Sequence, residues 1–359
     1  MNKTRKIELL METVRVFAGL AIAYLVALLI LFLVSDEPVY IIKQFILGPF
    51  SSPRRIGSII NLAVPFTICG LSMCFMYAVN KFNLIGESIF MLAGCVITWV
   101  GLSLAKFNLP MAVMVPLLLI VGAIVGVVLA FIPAIMDKKL NANVVVVSLM
   151  LNSAVAQLAL WILRYKMKDP TIAFVGSYET PLSMQLPRLF GSFRIGFGVV
   201  IAFIAVILVS ILFSKTPFGW KMRLVGSNPR FATTVGLSTL GISFAAQLAG
   251  GALAGIGGAT EIMSNYTRFQ WVATTQHGFD GLLAAVLARR KPILVPIGAL
   301  FLAYIRIGAD VVNTTGDIQY EFITVIQGLI ILLVGAESFL SGVKNKMIFS
   351  AVEKEQEAK

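Results

Sequence analysis

The sequence predicts an all-α integral membrane protein with about ten transmembrane or re-entrant helices and both termini in the cytoplasm. Hydrophobic residues make up 58% of the 359 residues and charged residues only 13%, with a mean hydropathy of +0.91. Because a soluble protein is normally about 25% charged, lipid must solvate most of this chain. Its apolar runs are hydrophobic on every side, which favours closed helices over the alternating strands of a membrane barrel.

Uncharged runs long enough to cross a bilayer, which takes roughly 20 apolar residues as helix, recur along the chain. They cover residues 16–34, 57–80, 88–105, 107–136, 140–163, 195–214 and 231–260. Three shorter or interrupted segments follow, at 278–288, 292–312 and 318–340. The first of these is too short to span, and its polar flanks favour a half-helix that dips into the membrane.

The lysines and arginines set the predicted orientation. They concentrate at the N-terminus, in residues 215–230, in 289–291 and after 344, and cytoplasmic segments are the ones enriched in these cations. The net charge of +12 therefore describes topology and gives little support for nucleic-acid binding. We predict one transmembrane domain over residues 1–343, with an uncleaved first span, and a polar cytoplasmic tail over 344–359.

Residues for catalysis or metal binding are scarce. Cys69, Cys74 and Cys95 lie inside apolar runs at spacings that fit no zinc or redox motif, and His277 is the only histidine. The sequence contains no GxxxxGK[ST] loop, so it has no nucleotide-binding P-loop of its own. We therefore expect a chain that is not an enzyme and binds no cofactor.

One helix is unusually rich in small residues, reading GGALAGIGGA over residues 250–259. Gly251 and Gly255 have the GxxxG spacing that lets two helix backbones approach closely. Close packing is one interpretation. A bent helix lining a pathway is the other, because five glycines weaken helix propensity.

Polar side chains at membrane depth are the candidates for a solute pathway, since a buried charge costs about 2.5–3.5 kcal/mol on insertion scales. Amides and carboxylates would bind a small polar solute, and aromatic faces would pack on a base ring. The pathway candidates are Asn61, Phe66, Glu87, Asn152, Gln247, Phe279 and Asp280. The wider set adds Arg306, Asp310, Glu321, Glu337, Gln157, Gln327, Phe75, Trp99 and Trp161. The alternatives are interhelical hydrogen bonds for the amides, core packing for the aromatics and a helix cap for Asp280.

Residues 215–230, KTPFGWKMRLVGSNPR, interrupt two uncharged apolar runs with four cations, glycine and proline. This composition is typical of a docking surface on the cytoplasmic face. Phe218, Trp220 and Met222 would be its apolar anchors, and a solvated basic loop is the alternative.

The same segment resembles the cytoplasmic loop of permease subunits of ABC importers, in the branch that handles nucleosides and sugars such as ribose. The matching residues are Thr216, Gly219, Arg223, Gly226, Asn228, Ala232 and Gly236. Three further stretches resemble family motifs in the same order: FNLIGES at 82–88, NVVVVSLMLN at 143–152, and GALAGIGGA with GFDGLLAAVLARRKP. Val144, Ser88 and Ile89 depart from the family pattern, which allows a different substrate or a less engaged half of a heterodimer.

The resemblance implies a multi-pass permease in the bacterial inner membrane, working with separate ATPase subunits that use ATP. It also implies a second permease subunit in a heterodimer and an external substrate-binding lipoprotein or periplasmic protein. The predicted ATPase-coupling residues are Thr216, Phe218, Gly219, Trp220, Arg223, Gly226 and Asn228. Nucleosides are the expected solutes, with a ribose-like sugar or a branched-chain amino acid as alternatives. An ion-coupled secondary transporter using Glu87 or Asp280 is the rival from another class.

Overall fold

The computed structural model of the protein describes residues 37–315 and the single positions 25, 32 and 328. Two compact units divide the chain, one from Ser52 to Tyr304 and one formed by Met1–Ser51 with Ile305–Lys359. Apart from those single positions, the predicted spans at 16–34 and 318–340 and the tail at 344–359 lie outside the described residues.

The described residues are mostly helical. Their α-helices are α1 (Pro38–Leu47), α2 (Pro53–Ala78), α3 (Gly86–Leu104), α4 (Met111–Leu140), α5 (Val144–Ile162), α6 (Gly198–Lys215), α7 (Pro217–Ser227), α8 (Pro229–Thr234), α9 (Thr239–Asn265), α10 (His277–Leu287) and α11 (Val295–Thr315). A short antiparallel hairpin, β1 (Arg188–Phe190) and β2 (Ile195–Gly196), precedes α6. Seven helical segments in this part of the chain are long and apolar enough to cross a membrane, which confirms the all-α membrane class. The count of about ten elements and the cytoplasmic location of both termini stay predictions.

Polar side chains set where several helices begin. The Ser52 hydroxyl accepts from the Arg55 N–H at 3.3 Å, and Pro53 occupies the first position of α2. The Asn143 side chain accepts from the Val145 N–H at 3.0 Å at the start of α5. Both residues satisfy backbone donors that have no partner within their own helix.

The predicted run at 231–260 is wrong at its N-terminal end, because the chain makes a separate short helix there. α8 ends at Thr234, and the transmembrane helix α9 begins only at Thr239. Gly236 between them has φ of +80°, and the Ser238 hydroxyl accepts from the Gly241 N–H at 3.2 Å to cap α9. The left-handed glycine and the cap together turn the chain between the two helices.

The glycines of α9 allow its backbone to contact α4 directly. A Cβ added at Gly255 would lie 2.0 Å from the carbonyl oxygen of Gly122, and one at Gly251 would lie 2.6 Å from that of Gly126. On another side of α9, the Ser72 hydroxyl of α2 donates to the Gly250 carbonyl at 2.6 Å. The packing interpretation of the GxxxG pair therefore agrees with the structure.

We expect Gly255→Ala to destabilise the protein by about 1–3 kcal/mol, because the new methyl group meets rigid backbone that cannot move aside. Gly86→Ala is the matched control, since a Cβ there meets nothing within 4 Å. Thermal unfolding in detergent should give a lower midpoint for Gly255→Ala than for Gly86→Ala. Equal midpoints for the two variants would contradict the close contact.

Candidate functional site

Three of the predicted pathway residues converge on residues 82–88, the segment that leads from α2 into α3. We call it the 82–88 segment. Asn83 is fully buried, and its side-chain amide donates to the Gln247 side-chain oxygen of α9 at 2.9 Å. Its own side-chain oxygen accepts from the Ile85 N–H at 3.2 Å. Gln247 thus binds the segment from one side.

Asn152 of α5 binds the same segment from the other side. Its amide nitrogen donates to the Leu84 carbonyl at 2.9 Å, and its oxygen accepts from the Ser88 hydroxyl at 2.7 Å. The Ser148 hydroxyl, one helical turn earlier, accepts from the Leu84 N–H at 3.0 Å. Each polar group of Asn152 therefore has a partner within the chain, as in the interhelical interpretation of this residue.

Glu87 binds the N-terminus of α10. Its carboxylate accepts from the Gln276 N–H at 2.6 Å and the Gly278 N–H at 2.8 Å, and the side chain is almost fully buried. These amides are among the first four of a helix, which lack partners inside the helix, and a negative charge also suits this end of the helix dipole. α10 has 11 residues and is only about 16 Å long, and its first two residues, His277 and Gly278, are buried, so its start lies in the protein interior.

Glu87 therefore provides a carboxylate at the start of α10, and the cap and pathway interpretations of Asp280 both stay predictions. Asp280 lies in the first turn of α10 and is half-buried. Sequence reasoning missed the pairing because Glu87 and Gly278 are 191 positions apart. The glycine at 278 is one sign of it: a Cβ there would lie 2.6 Å from the Glu87 Cα atom.

Aromatic contacts pack the connection from α9 to α10 against the protein interior. Phe90 of α3 stacks on Trp271 with ring centroids 5.3 Å apart, and on His277 at 5.0 Å. Phe66 is fully buried against His277, at 5.6 Å, so it packs in the core. Phe279, by contrast, is 36% exposed.

Ion pairs fix the other end of this connection to the loop that follows α5. The Arg268 guanidinium donates to Asp169 at 2.7 Å and to Glu179 at 2.8 Å. Hydrogen bonds from Thr171 and then from Arg268 hold the pKa of Asp169 below its ordinary value. Asp169 therefore stays ionised at neutral pH, and the stability it contributes is lost only as the pH falls through that lowered pKa.

Asn61 lies apart from the 82–88 segment and holds the hairpin. Its amide nitrogen donates to the Arg194 carbonyl at 2.9 Å, and its oxygen accepts from the Gly196 N–H at 3.0 Å. A cavity of about 180 Å³ opens beside it, and the exposed residues Arg54, Arg188 and Arg194 all line this cavity. Asn61 therefore shapes a basic pocket at the hairpin end.

The predicted coupling segment at 215–230 folds as α7 and the start of α8, and its polar motif residues make this fold. The Thr216 hydroxyl accepts from the Gly219 N–H at 3.2 Å and donates to the Leu212 carbonyl at 2.6 Å. The Arg223 guanidinium donates to the Phe213 carbonyl at the end of α6. The Asn228 side chain accepts from the Phe231 N–H at 3.0 Å and caps α8.

Two motif glycines allow α7 to lie against neighbouring backbone. A Cβ at Gly219 would be 2.4 Å from the Leu212 carbonyl oxygen, and one at Gly226 would be 2.1 Å from that of Ala78 in α2. Each of these positions therefore requires glycine for close approach.

The anchor role predicted for Met222 is wrong, because its side chain is fully buried within the chain. Phe218 is half-buried, and Trp220 is 54% exposed. Phe231 and Val235, which sequence reasoning passed over, are also about half exposed, at 51% and 50%. Trp220, Phe231 and Val235 are therefore the exposed large hydrophobic residues between positions 215 and 238, and we call them the α7–α8 surface.

Comparison with known proteins places this chain in a family. Residues 55–335 match the family described as the permease component of branched-chain amino acid transport systems. The nucleoside ABC transporter permease protein NupB of Lactococcus lactis is 26% identical, over 94% of this chain and 92% of its own length. The guanosine ABC transporter permease protein NupP of Bacillus subtilis is 25% identical, over 84% and 86%. A glucose ABC transporter permease protein of Haloferax volcanii is 27% identical, over 84% and 82%.

We expect Glu87→Gln to loosen the start of α10. The glutamine NH₂ group would face a backbone N–H where the wild-type carboxylate provides an acceptor oxygen. The loss should be about 1–3 kcal/mol, the cost of a buried unsatisfied donor. Hydrogen exchange at the amides of Gln276 and Gly278 should become faster. Asp280→Asn, in the same helical turn, is the control and should change exchange at these amides much less. Unchanged exchange in Glu87→Gln would contradict the cap.

Proposed function

This chain belongs to the family of permease components of branched-chain amino acid transport systems, and we propose that it is the membrane-spanning subunit of an ATP-driven importer for nucleosides. Membership makes it an ABC transporter permease subunit and a multi-pass membrane protein. The direction, the solute and the coupling to an ATPase are the parts that we propose. The resemblance to the nucleoside branch is consistent with two relatives that are named as nucleoside and guanosine permeases.

The observation that carries coupling is the α7–α8 surface. Trp220 is 54% exposed although α7 is anchored to α2 and α6 by its glycines, its arginine and its caps. A rigid platform with exposed aromatic side chains suits binding to a protein partner, because binding then costs little ordering of the platform. We propose that this platform lies in the cytoplasm and binds the ATPase subunit, which is where ATP is used.

The basic pocket beside Asn61 is the observation that favours a second binding partner, at the hairpin end of the protein. Arg54, Arg188 and Arg194 surround one cavity without an acidic residue among the residues that line it. Such a surface suits carboxylates, which arginine binds with two parallel hydrogen bonds. We propose that acidic side chains of an external substrate-binding protein, a lipoprotein or a periplasmic protein, contact it. A second permease subunit in a heterodimer would complete the assembly in the bacterial inner membrane.

Two alternatives for the solute have specific support. One relative is named as a glucose permease, which favours a sugar, and the family description favours a branched-chain amino acid. An ion-coupled secondary transporter has less support, because its carboxylate Glu87 is bound to backbone amides of α10.

Uptake by the complete complex reconstituted in liposomes separates these functions. We expect ATP-dependent uptake of guanosine, and no competition from glucose or leucine in excess. The same vesicles with an imposed proton or sodium gradient and no ATP are the control and should not accumulate guanosine. Transport of glucose or leucine without guanosine would overturn the proposed solute, and gradient-driven uptake would overturn ATP coupling.

Trp220→Ala should weaken ATPase binding roughly tenfold or more, because burying an aromatic side chain contributes about 1.5–3 kcal/mol. Lys221→Ala, at the neighbouring exposed position, is the control. It should have little effect, since an exposed ion pair is worth about 0–1 kcal/mol. Copurification of the ATPase and solute-stimulated ATP hydrolysis report on both variants. Wild-type values for Trp220→Ala would show that the α7–α8 surface does not bind the ATPase.

A further inference from the structure

One face of α5 differs from the other exposed faces of this bundle. Ser153, Gln157 and Trp161 are exposed and follow one another at intervals of four residues, so they lie on one side of the helix. Tyr165 continues the series in the π-helical turn Leu163–Met167, and its ring lies 5.8 Å from that of Trp161. We call this row of four the α5 column.

The faces that α4 and α6 expose have a different composition. Within the described residues, the exposed positions in the middle of these helices are apolar: Ile120, Ile124 and Val128 on α4, and Phe203, Ile204 and Leu208 on α6. Such faces are suited to contact with lipid chains. The same molecule therefore provides a reference for what its lipid-facing surface looks like.

Polar groups of the α5 column cannot be accounted for by lipid contact. Ser153 and Gln157 stand near the middle of the apolar helical segment Val144–Met167, where an unsatisfied amide or hydroxyl costs free energy. Neither forms a hydrogen bond with a residue in the described part of the chain. Asn152, by contrast, faces inward and is fully bonded to the 82–88 segment. Their partners therefore lie outside the described residues, in water, a polar solute or another protein surface.

The chemistry of the column indicates what kind of solute would bind. Gln157 offers a donor and an acceptor in one plane, and Trp161, half exposed, presents an indole face one turn away. One turn of helix rises about 5.4 Å, which is comparable to the width of a planar ring. No side chain of the column carries a formal charge at neutral pH, so a charged solute would find no counter-charge on it.

We propose that the α5 column lines the aqueous route of the transported solute and binds a planar, uncharged heterocycle with ring-edge donors and acceptors. Gln157 bonds the ring edge, Trp161 stacks on its face, and Ser153 provides a further hydroxyl along the route. The assignment rests on the proposed function and narrows it. It also places solute contact on residues other than Glu87 and Asn152, whose polar groups are bonded within the chain.

Cysteine accessibility in membranes containing the complete transporter tests the route. Gln157→Cys should react with a charged, membrane-impermeant methanethiosulfonate roughly tenfold or more faster than Ile124→Cys or Leu208→Cys, because lipid excludes the charged reagent. The native Cys69, Cys74 and Cys95 are buried, so the unmodified protein gives the background. A rate for Gln157→Cys equal to the two controls means a face covered by lipid or by dry packing against a partner, and overturns the route.

Guanosine protection and a second variant test the solute class. Saturating guanosine should slow labelling of Gln157→Cys, and Trp161→Ala should raise the KM of guanosine uptake roughly tenfold, as expected when one base–aromatic stack is lost. Trp161→Phe should largely restore the KM, which a merely structural role would not require. Fast labelling without protection overturns the heterocycle site while leaving an aqueous face. Labelling is measured without transport. A negative labelling result can therefore be distinguished from a negative result of the uptake experiment, which tests the importer itself.

Discussion

The contact between the Glu87 carboxylate and the first amides of α10 is the constraint on which the interior depends. An 11-residue helix that starts inside a lipid-solvated protein exposes N–H groups where no water is available to bind them. One carboxylate satisfies two of these amides and places a charge at the positive end of the helix dipole. The hydrogen bonds in this contact offset part of the cost of burying the carboxylate, and they also satisfy the buried amides.

Several other features follow from holding Glu87 in place. The 82–88 segment must keep one conformation, and Asn83, Ser88, Asn152 and Gln247 supply the hydrogen bonds that fix it. The aromatic stack of Phe90 with its two neighbours sits one helical turn beyond the carboxylate and shields it from solvent. These amides at membrane depth therefore serve to position a carboxylate, although the buried Gln247 Nε2 atom has no hydrogen-bond partner among the described residues.

Much of the fold could be predicted from the sequence, because apolar runs of membrane length leave few other structures open to the chain. Within residues 37–315, the predicted spans apart from the N-terminal end of 231–260, the short helix α10 and the close approach at Gly251 and Gly255 are local patterns and agree with the structure. What the sequence could not specify are pairings across long separations, such as Glu87 with Gly278, and the orientation of side chains on short helices. Met222 and Trp220 differ by two positions, and only the packing of α7 decides that one is buried and the other exposed.

In the 215–230 segment, the motif residues and the residues available to a partner are different. Thr216, Gly219, Arg223, Gly226 and Asn228 identify the family, yet each of them is occupied in folding the segment. The surface left for a partner consists of side chains outside that motif, on Trp220, Phe231 and Val235. A motif of this kind therefore preserves the shape of a platform, while the chemistry presented on the platform can vary with the partner.

The end of α2 connects this platform to the interior through direct contacts. Gly226 of α7 lies against the Ala78 carbonyl, and the guanidinium of Arg290, which follows α10, lies over the Tyr77 ring at 4.9 Å. Neighbouring residues at one helix end thus contact both the platform and the C-terminal end of the half-helix whose start Glu87 holds. A displacement of α7 would press on rigid backbone at Ala78, because glycine leaves no side chain between the two helices to absorb it. Contiguous packing of this kind is the physical requirement for movement at the α7–α8 surface to reach α10.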